Sequence, residues 1–356
     1  MWLADAKISN FQKTLLIKKF NNSENLLYHI TDSQIGNICL PKTADMLLSI
    51  WNENKYRNLY EYLLQKGIST VNITEDIYPY KLKNIDDAPF LLFYRGNIQK
   101  LNENKSVAIV GSRNFTYYGK NTANLISKEL STYNINIISG LAAGIDGFAH
   151  RSCLDSNGYT CAVLGSGIDI IYPKKHTVLY NDISARGCLL SEYMPGTPPY
   201  AYNFPYRNRI ISGLSDVVIV IEAGYKSGSL ITANTALNQG RDVMSVPGSI
   251  FSEMSKGTNG LIKDGAYVFT CIDDVLYLLG MDCSKKMKNN IVHSKLSSDE
   301  QKVISFIGST PIHIDNIIKL SNIDIKQLYE LLFELQLKNE IICLAGNYYA
   351  KIQNEL

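Results

Sequence analysis

The chain has 356 residues, of which 46% are hydrophobic and 19% charged, and its formal net charge is +2. This length suits two or three domains, and the composition argues against a disordered chain. No apolar run reaches the length of a membrane span and no apolar signal core follows Met1, so we expect a cytoplasmic protein without membrane contact. The seven cysteines are scattered and never spaced as C-x-x-C, which favours reduced thiols over a zinc site or disulfides.

The charge is spread without a strongly basic segment. Residues 1–100 carry a net charge of +2, residues 101–280 are neutral, residues 281–290 carry +2 and residues 291–356 carry −2. None of these segments has the bulk positive charge that is typical of proteins binding duplex DNA. A nucleic-acid ligand would therefore have to be held by a concentrated local site.

Residues 1–95 are predicted to form a small helical domain and a connector. Apolar side chains recur at helical spacing in residues 44–51 and 59–63. Pro79 then interrupts the helical pattern, because proline disfavours helix in the residue before it. Residues 87–94 predict a short strand within the connector.

From residue 96 to residue 282, short apolar runs alternate with amphipathic helical segments. Seven of these runs are predicted strands, at residues 107–110, 135–138, 161–164, 189–190, 217–221, 243–246 and 267–270. Several are rich in Val and Ile without polar alternation, which is typical of strands buried on both faces. Strands alternating with helices predict an α/β fold with a parallel, doubly wound sheet.

The last seventy residues differ in pattern. Residues 283–294 are polar and lack apolar periodicity, so they are predicted to be a linker. Residues 295–356 contain three helical segments and an apolar hairpin, at 298–307, 314–320, 325–337, 341–344 and 348–352. This arrangement predicts a winged helix. Because the domain is net negative and its third helix lacks arginine, we expect it to contact protein rather than duplex DNA.

Four glycine-rich loops follow predicted strands, and in a doubly wound sheet such loops converge on one crevice. Glycine lets backbone N–H groups approach an anion, and the positive end of the next helix favours one. The candidate binding residues are Gly111, Ser112 and Arg113; Gly140 and Gly144; Gly165, Gly167 and Lys174; Arg207 and Arg209; and Ser227, Gly228 and Ser229. A single loop of this kind is usually a tight turn, but four together favour a ligand with several phosphates.

Other residues near the loops limit which ligands and reactions are expected. Arg113 stands where the dinucleotide fingerprint G-x-G-x-x-G has its second glycine, and no Walker A loop is present, so we expect no nucleotide cofactor and no metal. Arg207 and Arg209 lie two positions apart on a helix, so one could bind an anion while the other pairs with Glu192 or Glu222. His150 is expected to be a buried, hydrogen-bonded residue rather than a catalytic base. Tyrosines near the loops could stack on bases: Tyr117, Tyr118, Tyr172, Tyr200, Tyr202 and Tyr206.

The loop residues resemble the motifs of the DprA (Smf) family of DNA-processing proteins. The similar segments follow in order at 110–113 (VGSR), 138–146 (ISGLAAGID), 162–167 (AVLGSG), 190–193 (LSEY), 204–215 (FPYRNRIISGLS), 227–233 (SGSLITA) and 257–259 (GTN). Together they span about residues 70–270. Met194 departs from the family, which usually has proline there, and residues 198–203 are rich in tyrosine where relatives often have a basic residue.

The resemblance implies an extended Rossmann-like domain at 96–282, with a SAM-like helical domain before it and the winged helix after it. It implies binding and protection of incoming single-stranded DNA in natural transformation, help in loading the RecA recombinase, and a homodimer. Phosphates are expected first at Gly111, Ser112, Arg113 and Lys174, and then at Arg207 and Arg209. No catalysis is expected. The alternative is a nucleotide-binding enzyme related to nucleoside monophosphate phosphoribohydrolases, whose P-G-G-x-G-T loop has no counterpart at 227–230.

Overall fold

The computed structural model describes residues 1–30, 41–281, 296–308, 310–321, 323–338, 340–344 and 346–351. Contacts within the chain divide it into two compact units, residues 1–287 and residues 288–356. The predicted linker at 283–294 lies outside the described residues. The predicted boundary at residues 95 and 96 falls inside the first unit, and the domain limits stay a prediction.

Helices dominate the N-terminal part of the first unit. They are α1 (Trp2–Asp5), α2 (Asn10–Phe20), α3 (Ser23–His29), α4 (Pro41–Ile50) and α5 (Glu53–Gln65). Helix α2 begins at a capping box, in which the Ser9 side chain accepts a hydrogen bond from the Gln12 amide and the Gln12 side chain accepts one from the Ser9 amide. Trp2, Leu16 and Leu47 are buried in one cluster with residues of the sheet. The predicted helical N-terminal region is therefore present and packs directly on the sheet.

One nine-stranded sheet forms the centre of the first unit. Its strands are β1 (Ser69–Asn72), β2 (Leu91–Gly96), β3 (Ser106–Val110), β4 (Asn136–Ser139), β5 (Thr160–Val163), β6 (Cys188–Ser191), β7 (Val217–Val220), β8 (Asp242–Ser245) and β9 (Tyr267–Val268). They are arranged in the order β1-β2-β6-β5-β4-β3-β7-β8-β9. All seven predicted strands are present to within two residues, and β3 to β9 pair in parallel.

Two antiparallel strands extend this parallel sheet at one edge. Strand β2 pairs with β6, with Phe93 opposite Ser191, and β1 pairs with β2. The sequence pattern assigned β2 to a connector, but Leu92 and Phe93 are fully buried and place it in the sheet. Burial of these side chains outweighs the breaks that the nearby prolines introduce.

Helices cover both faces of the sheet. They are α6 (Lys100–Glu103), α7 (Tyr117–Thr132), α8 (Ile145–Asp155), α9 (Thr177–Arg186), α10 (Asn203–Gly213), α11 (Gly228–Asn238), α12 (Lys256–Lys263) and α13 (Ile272–Leu278). Side chains alternate along β3, so that Ile109 packs in a cluster with α7 and α8 while Val110 packs in a cluster with α10 and α11. The loops at the carboxyl ends of the strands therefore lie between two layers of helices.

The second unit is a winged helix. It contains α14 (Ser298–Ser305), β10 (Ile312–His313), α15 (Ile314–Ser321), α16 (Ile325–Leu337), β11 (Ile341–Leu344) and β12 (Tyr348–Lys351). Its antiparallel sheet has the order β10-β12-β11, and Val303, Leu328 and Leu332 lie in its core. The three predicted helices and the hairpin are confirmed, although Ile352 at the predicted end of the hairpin lies outside the described residues.

The described residues also bear on disulfides, metal sites and membrane spans. Five cysteines there are free, with Cys153, Cys161 and Cys188 buried and Cys343 exposed. Within the same ranges, no group of three His, Cys, Asp or Glu side chains is placed to hold a metal ion. None of the described helices combines the length and the apolar character needed to cross a bilayer.

Candidate functional site

A cavity of about 660 Å³ lies at the carboxyl edge of the sheet, next to the ends of β3 and β7. From β3 the chain proceeds through β4, β5 and β6 on one side and through β7, β8 and β9 on the other. The cavity therefore lies where the strand order reverses, which is the usual ligand position in an open α/β sheet. We call this cavity the switch-point cavity.

The switch-point cavity brings together seven of the thirteen candidate residues. Those that line it are Gly111, Ser112, Arg113, Arg207, Ser227, Gly228 and Ser229. Those that do not line it are Gly140, Gly144, Gly165, Gly167, Lys174 and Arg209. The role of each in ligand binding stays a prediction, and the contacts below show what each side chain or backbone group does in the protein.

The loop after β3 is held by Glu222, which follows β7. The Ser112 amide donates to the Glu222 carbonyl at 2.8 Å, and the Thr116 amide donates to the Glu222 carboxylate at 2.9 Å. Ser112 Oγ also donates to the Asn114 carbonyl at 2.6 Å. These bonds fix the loop on both sides of Arg113 and leave that side chain exposed. Among the described residues, no carboxylate lies within ion-pairing distance of the Arg113 guanidinium, so its charge is available to a ligand.

Two backbone amides of the loop after β4 are already hydrogen bonded within the protein. Asp146 Oδ2 accepts from the Gly140 amide at 3.1 Å and from the Ala142 amide at 3.4 Å. Burial raises the pKa of the Asp146 carboxyl, and the nearby Arg207 charge opposes this rise. A side chain from α8 thus occupies two of the backbone donors of this loop. Asp146 itself lines the switch-point cavity.

Arg207 provides a buried positive charge at the switch-point cavity. Its Nη1 donates to the Gly140 carbonyl at 3.0 Å and also to the Val163 carbonyl. Burial lowers the pKa of the guanidinium to about 10, so it remains a cation at neutral pH. The Phe204 ring lies close to both arginines of the cavity, with its centroid 5.5 Å from Arg113 Cζ and 5.8 Å from Arg207 Cζ.

Two glycines of the second loop are required by close packing. A Cβ on Gly140 would lie 2.7 Å from Arg207 Nη2 and 2.9 Å from Asp146 Oδ2. Gly144 has a φ of 88°, and a Cβ there would lie 2.4 Å from the Ser112 carbonyl oxygen. These glycines therefore let the first and second loops and Arg207 pack against one another.

Close packing also explains the two glycines of the third loop. A Cβ on Gly165 would lie 2.8 Å from the Phe204 ring, and one on Gly167 would lie 2.8 Å from the Met194 carbonyl oxygen. The Gly167 amide donates to the Thr197 carbonyl at 2.9 Å. Lys174 follows this loop and is exposed, two positions after Tyr172, which does line the switch-point cavity.

Arg209 has a different environment from Arg207, although both belong to α10. Its Nη2 lies 2.6 Å from Glu192 Oε2, and its Nε lies 3.5 Å from Asp87 Oδ2. The guanidinium also stacks on the Tyr206 ring, with Cζ 4.1 Å from the ring centroid. The two-residue spacing thus sends one arginine into the cavity and the other into a buried ion pair with Glu192, one of the two carboxylates that the sequence suggested.

The fourth loop opens helix α11 towards the switch-point cavity. Ser227 is its N-cap, and Ser227 Oγ lies 2.7 Å from Ser229 Oγ. The positive end of the α11 dipole and its first amides favour an anion at this position. Lys226 also lines the cavity and is exposed. Lys226 was not among the residues predicted from the sequence, although its position directly before the Ser227-Gly228-Ser229 loop was a usable signal.

His150 lies away from the switch-point cavity and is fully buried. Its Nδ1 is 2.6 Å from Thr160 Oγ1, and that hydroxyl donates its proton to the Ile137 carbonyl at 2.8 Å. The hydroxyl must therefore accept from Nδ1–H, and in the neutral ring the lone pair is then on Nε2. Burial lowers the pKa of His150 to about 3, which agrees with a neutral, structural histidine.

Comparison with known proteins gives a consistent result at the level of sequence. Residues 69–280 match the family model described as DNA recombination-mediator protein A, and residues 293–347 match the DprA winged helix domain. The DNA processing protein DprA of Bacillus subtilis is 43% identical over 211 residues, which are 59% of this chain and 71% of that protein. Protein Smf of Escherichia coli is 36% identical over 294 residues, which are 81% of this chain and 78% of that protein.

Solved structures agree with these matches. The X-ray structure of DNA processing protein A from Streptococcus pneumoniae superposes with a TM-score of 0.67 and 37% identity, covering 78% of this chain and 95% of that one. The structure of DNA processing protein A from Helicobacter pylori, described for its single-stranded DNA binding mode, superposes with a TM-score of 0.55 and 31% identity. It covers 60% of this chain and 95% of that one.

Proposed function

Because this chain belongs to the DNA recombination-mediator protein A (DprA) family, we propose that its switch-point cavity binds single-stranded DNA. The protein then protects incoming single strands in the cytoplasm during natural transformation and helps to load the RecA recombinase onto them. It acts without catalysing a reaction. The binding of single-stranded DNA by the Helicobacter pylori relative supports the first step.

One observation carries the proposal, namely three cations around one cavity. Arg113 and Lys226 are exposed and line the switch-point cavity, and buried Arg207 lines it as well. Asp146 is an acidic residue in the same lining, and its Oδ2 already accepts from the Gly140 and Ala142 amides. A chain of phosphates supplies the negative charge that this arrangement favours, and the N-terminus of α11 adds a further attraction.

The candidate residues divide into two groups under this proposal. Contact with phosphates is assigned to Arg113 and Lys226, with the backbone of Gly111, Ser112 and the Ser227, Gly228 and Ser229 loop beside them and the buried charge of Arg207 adding to the attraction. Lys174 is exposed and does not line the cavity, and it is assigned to a phosphate farther along the strand. Gly140, Gly144, Gly165 and Gly167 act indirectly, because their close packing holds the loops in place. Arg209 pairs with Glu192 and is assigned to stability rather than to binding.

Assembly and domain roles complete the proposal. A homodimer would present two switch-point cavities to one long strand and gain avidity. Residues 1–95, 96–282 and 295–356 act as three domains with a linker at 283–294. The winged helix contacts a protein partner, since Ile325, Tyr329 and Phe333 are exposed at a spacing of four along α16.

Fluorescence anisotropy of a labelled oligo-dT strand, measured at several salt concentrations with unlabelled duplex as competitor, tests the proposal. We expect Arg113→Ala and Lys226→Ala each to weaken binding and to reduce the slope of log K against log salt by about 0.7, the value for one lost phosphate contact on a single strand. Lys18→Ala is the matched control, because Lys18 is exposed on α2 and does not line the cavity. Equal competition by duplex, or unchanged binding by Arg113→Ala, would refute the proposal.

A further inference from the structure

We propose that Tyr200 and Tyr202 form a stacking platform for a nucleobase of the bound strand. The site would then bind bases as well as phosphates. This inference rests on the proposed binding of single-stranded DNA and names a contact within the same site. It assigns this role to two of the six tyrosines near the loops that the sequence indicated as possible stacking residues.

The two rings are already arranged as a stack. Their centroids are 5.4 Å apart and their planes differ by 8°, which is the geometry of an offset aromatic pair. Tyr200 is 46% exposed and Tyr202 is 70% exposed, so neither ring is part of the core. In the described part of the chain, neither hydroxyl takes part in a hydrogen bond. Packing and hydrogen bonding thus give no structural reason for two aromatic rings here.

The platform is adjacent in the chain to residues that line the switch-point cavity. Pro199, Ala201 and Phe204 line that cavity, while Tyr200 and Tyr202, which lie between them in the sequence, are not among its lining residues. Arg113 lines the same cavity. Under this proposal, a strand whose phosphates contact Arg113 extends out of the cavity and places a base on the tyrosine pair.

The backbone that carries the platform is fixed in place. The Asn203 side chain donates to the Gly165 carbonyl at 3.0 Å, directly after Tyr202. At the other end of the segment, Thr197 Oγ1 donates to the Met194 carbonyl at 2.6 Å and the Thr197 carbonyl accepts from the Gly167 amide. The rings are therefore held near the cavity before a ligand arrives, which lowers the entropic cost of stacking.

Charge gives a second reason for a base contact. Residues 101–280 have no net charge, so attraction of phosphates is confined to a few side chains. Every base has an aromatic face, and stacking on tyrosine adds affinity that does not depend on the sequence of the strand or on counterion release. A stacking platform would let a nearly neutral domain hold single-stranded DNA at moderate salt.

The test compares two strands of equal length, an oligo-dT strand and an abasic strand with the same phosphates and no bases. Anisotropy is measured for the full chain and for Tyr202→Ala, Tyr200→Ala and the double variant. Tyr202→Phe keeps the aromatic face and is the matched control. Loss of one base contact should lower the affinity for oligo-dT by about 5- to 100-fold. Affinity for the abasic strand and the salt slope should stay unchanged.

The outcomes separate this inference from the proposed function. If the unmodified protein binds oligo-dT but the alanine variants keep its affinity, or lose affinity for both strands equally, the stacking platform is wrong and strand binding stands. If Tyr202→Phe is as weak as Tyr202→Ala, the aromatic face is not the contact and the platform is again refuted. If the unmodified protein binds neither strand, the proposed function fails and the platform fails with it.

Discussion

A methyl group added at Gly140 should destabilise the first unit, while one added at Gly228 should not. Both glycines belong to loops that the sequence predicts to bind phosphate. At Gly140 the new Cβ would lie 2.7 Å from Arg207 Nη2 and 2.9 Å from Asp146 Oδ2, distances too short for carbon in a folded protein. At Gly228 no atom lies within 4 Å of the new Cβ.

The expected loss of stability on Gly140→Ala depends on how far the Arg207 guanidinium must be displaced. The Arg207 guanidinium is buried and donates to the Gly140 and Val163 carbonyls, so it cannot swing into solvent without losing these bonds. Overpacking a core costs about 1–3 kcal/mol, and losing a hydrogen bond to a charged group costs about 1.5–3 kcal/mol. We therefore expect Gly140→Ala to lower the free energy of unfolding by about 2–5 kcal/mol. Gly228→Ala, at the start of α11, should change it by about 1 kcal/mol or less, in the stabilising direction.

Tryptophan fluorescence during urea unfolding measures this difference. The chain has two tryptophans, Trp2 and Trp51, and both lie in the first unit. Trp2 belongs to the same buried cluster as Leu141, the neighbour of Gly140, so its signal reports the unfolding of this region. An equal urea midpoint for the two variants, or a lower midpoint for Gly228→Ala than for Gly140→Ala, would contradict this expectation.

Two further perturbations test the buried groups. Burial lowers the pKa of His150 to about 3, so the folded protein keeps the ring neutral while the unfolded chain takes up a proton near its ordinary pKa of about 6.5. The contribution of the neutral His150 ring to the free energy of unfolding is complete above about pH 6.5, and it falls towards pH 3 by up to about 1.4 kcal/mol per pH unit. The variant His150→Asn should therefore lose less stability than the unmodified protein between pH 7 and pH 5, as measured by urea titrations at the two pH values. Arg209→Met should lower the free energy of unfolding by about 3–5 kcal/mol, because it removes the guanidinium that pairs with the buried Glu192 carboxylate. The same variant should bind oligo-dT within about twofold of the unmodified protein, since Arg209 does not line the switch-point cavity; a large loss of binding with normal stability would contradict this assignment.

Much of the fold could be predicted because it follows from short-range pattern. The Val and Ile runs that become β3 and β7 are buried on both faces and carry no polar alternation, so they indicate parallel strands without knowledge of their partners. The position of β2 in the sheet could not be predicted in this way. Its pairing with β6 joins residues almost a hundred positions apart, and an apolar run alone does not specify its neighbour.

The candidate site was predictable in location but not in detail. The ends of the predicted strands locate the loops in the sequence. In a parallel sheet these loops lie at one edge, where residues of several of them line the switch-point cavity. The sequence could not show that Asp146 turns back to bind the Gly140 amide, since that contact depends on how α8 packs. Nor could it show which of Arg207 and Arg209 enters the cavity, because a spacing of two fixes their relative direction and not the rotation of the helix. Lys226 was missed for a similar reason, since a lysine in a loop is usually a solvated side chain.

The position of β3 in the middle of the seven parallel strands also affects the order in which the sheet can be completed during synthesis. Val107 in β3 pairs with Val217 in β7, so one neighbour of the central strand emerges 110 residues after it. At a translation rate of about 5–20 residues per second, this edge stays without a partner for about 5–20 s. An apolar strand edge without a partner can pair with another chain. The chain order that creates the switch-point cavity therefore leaves one edge of β3 open to pairing with another chain until β7 leaves the ribosome.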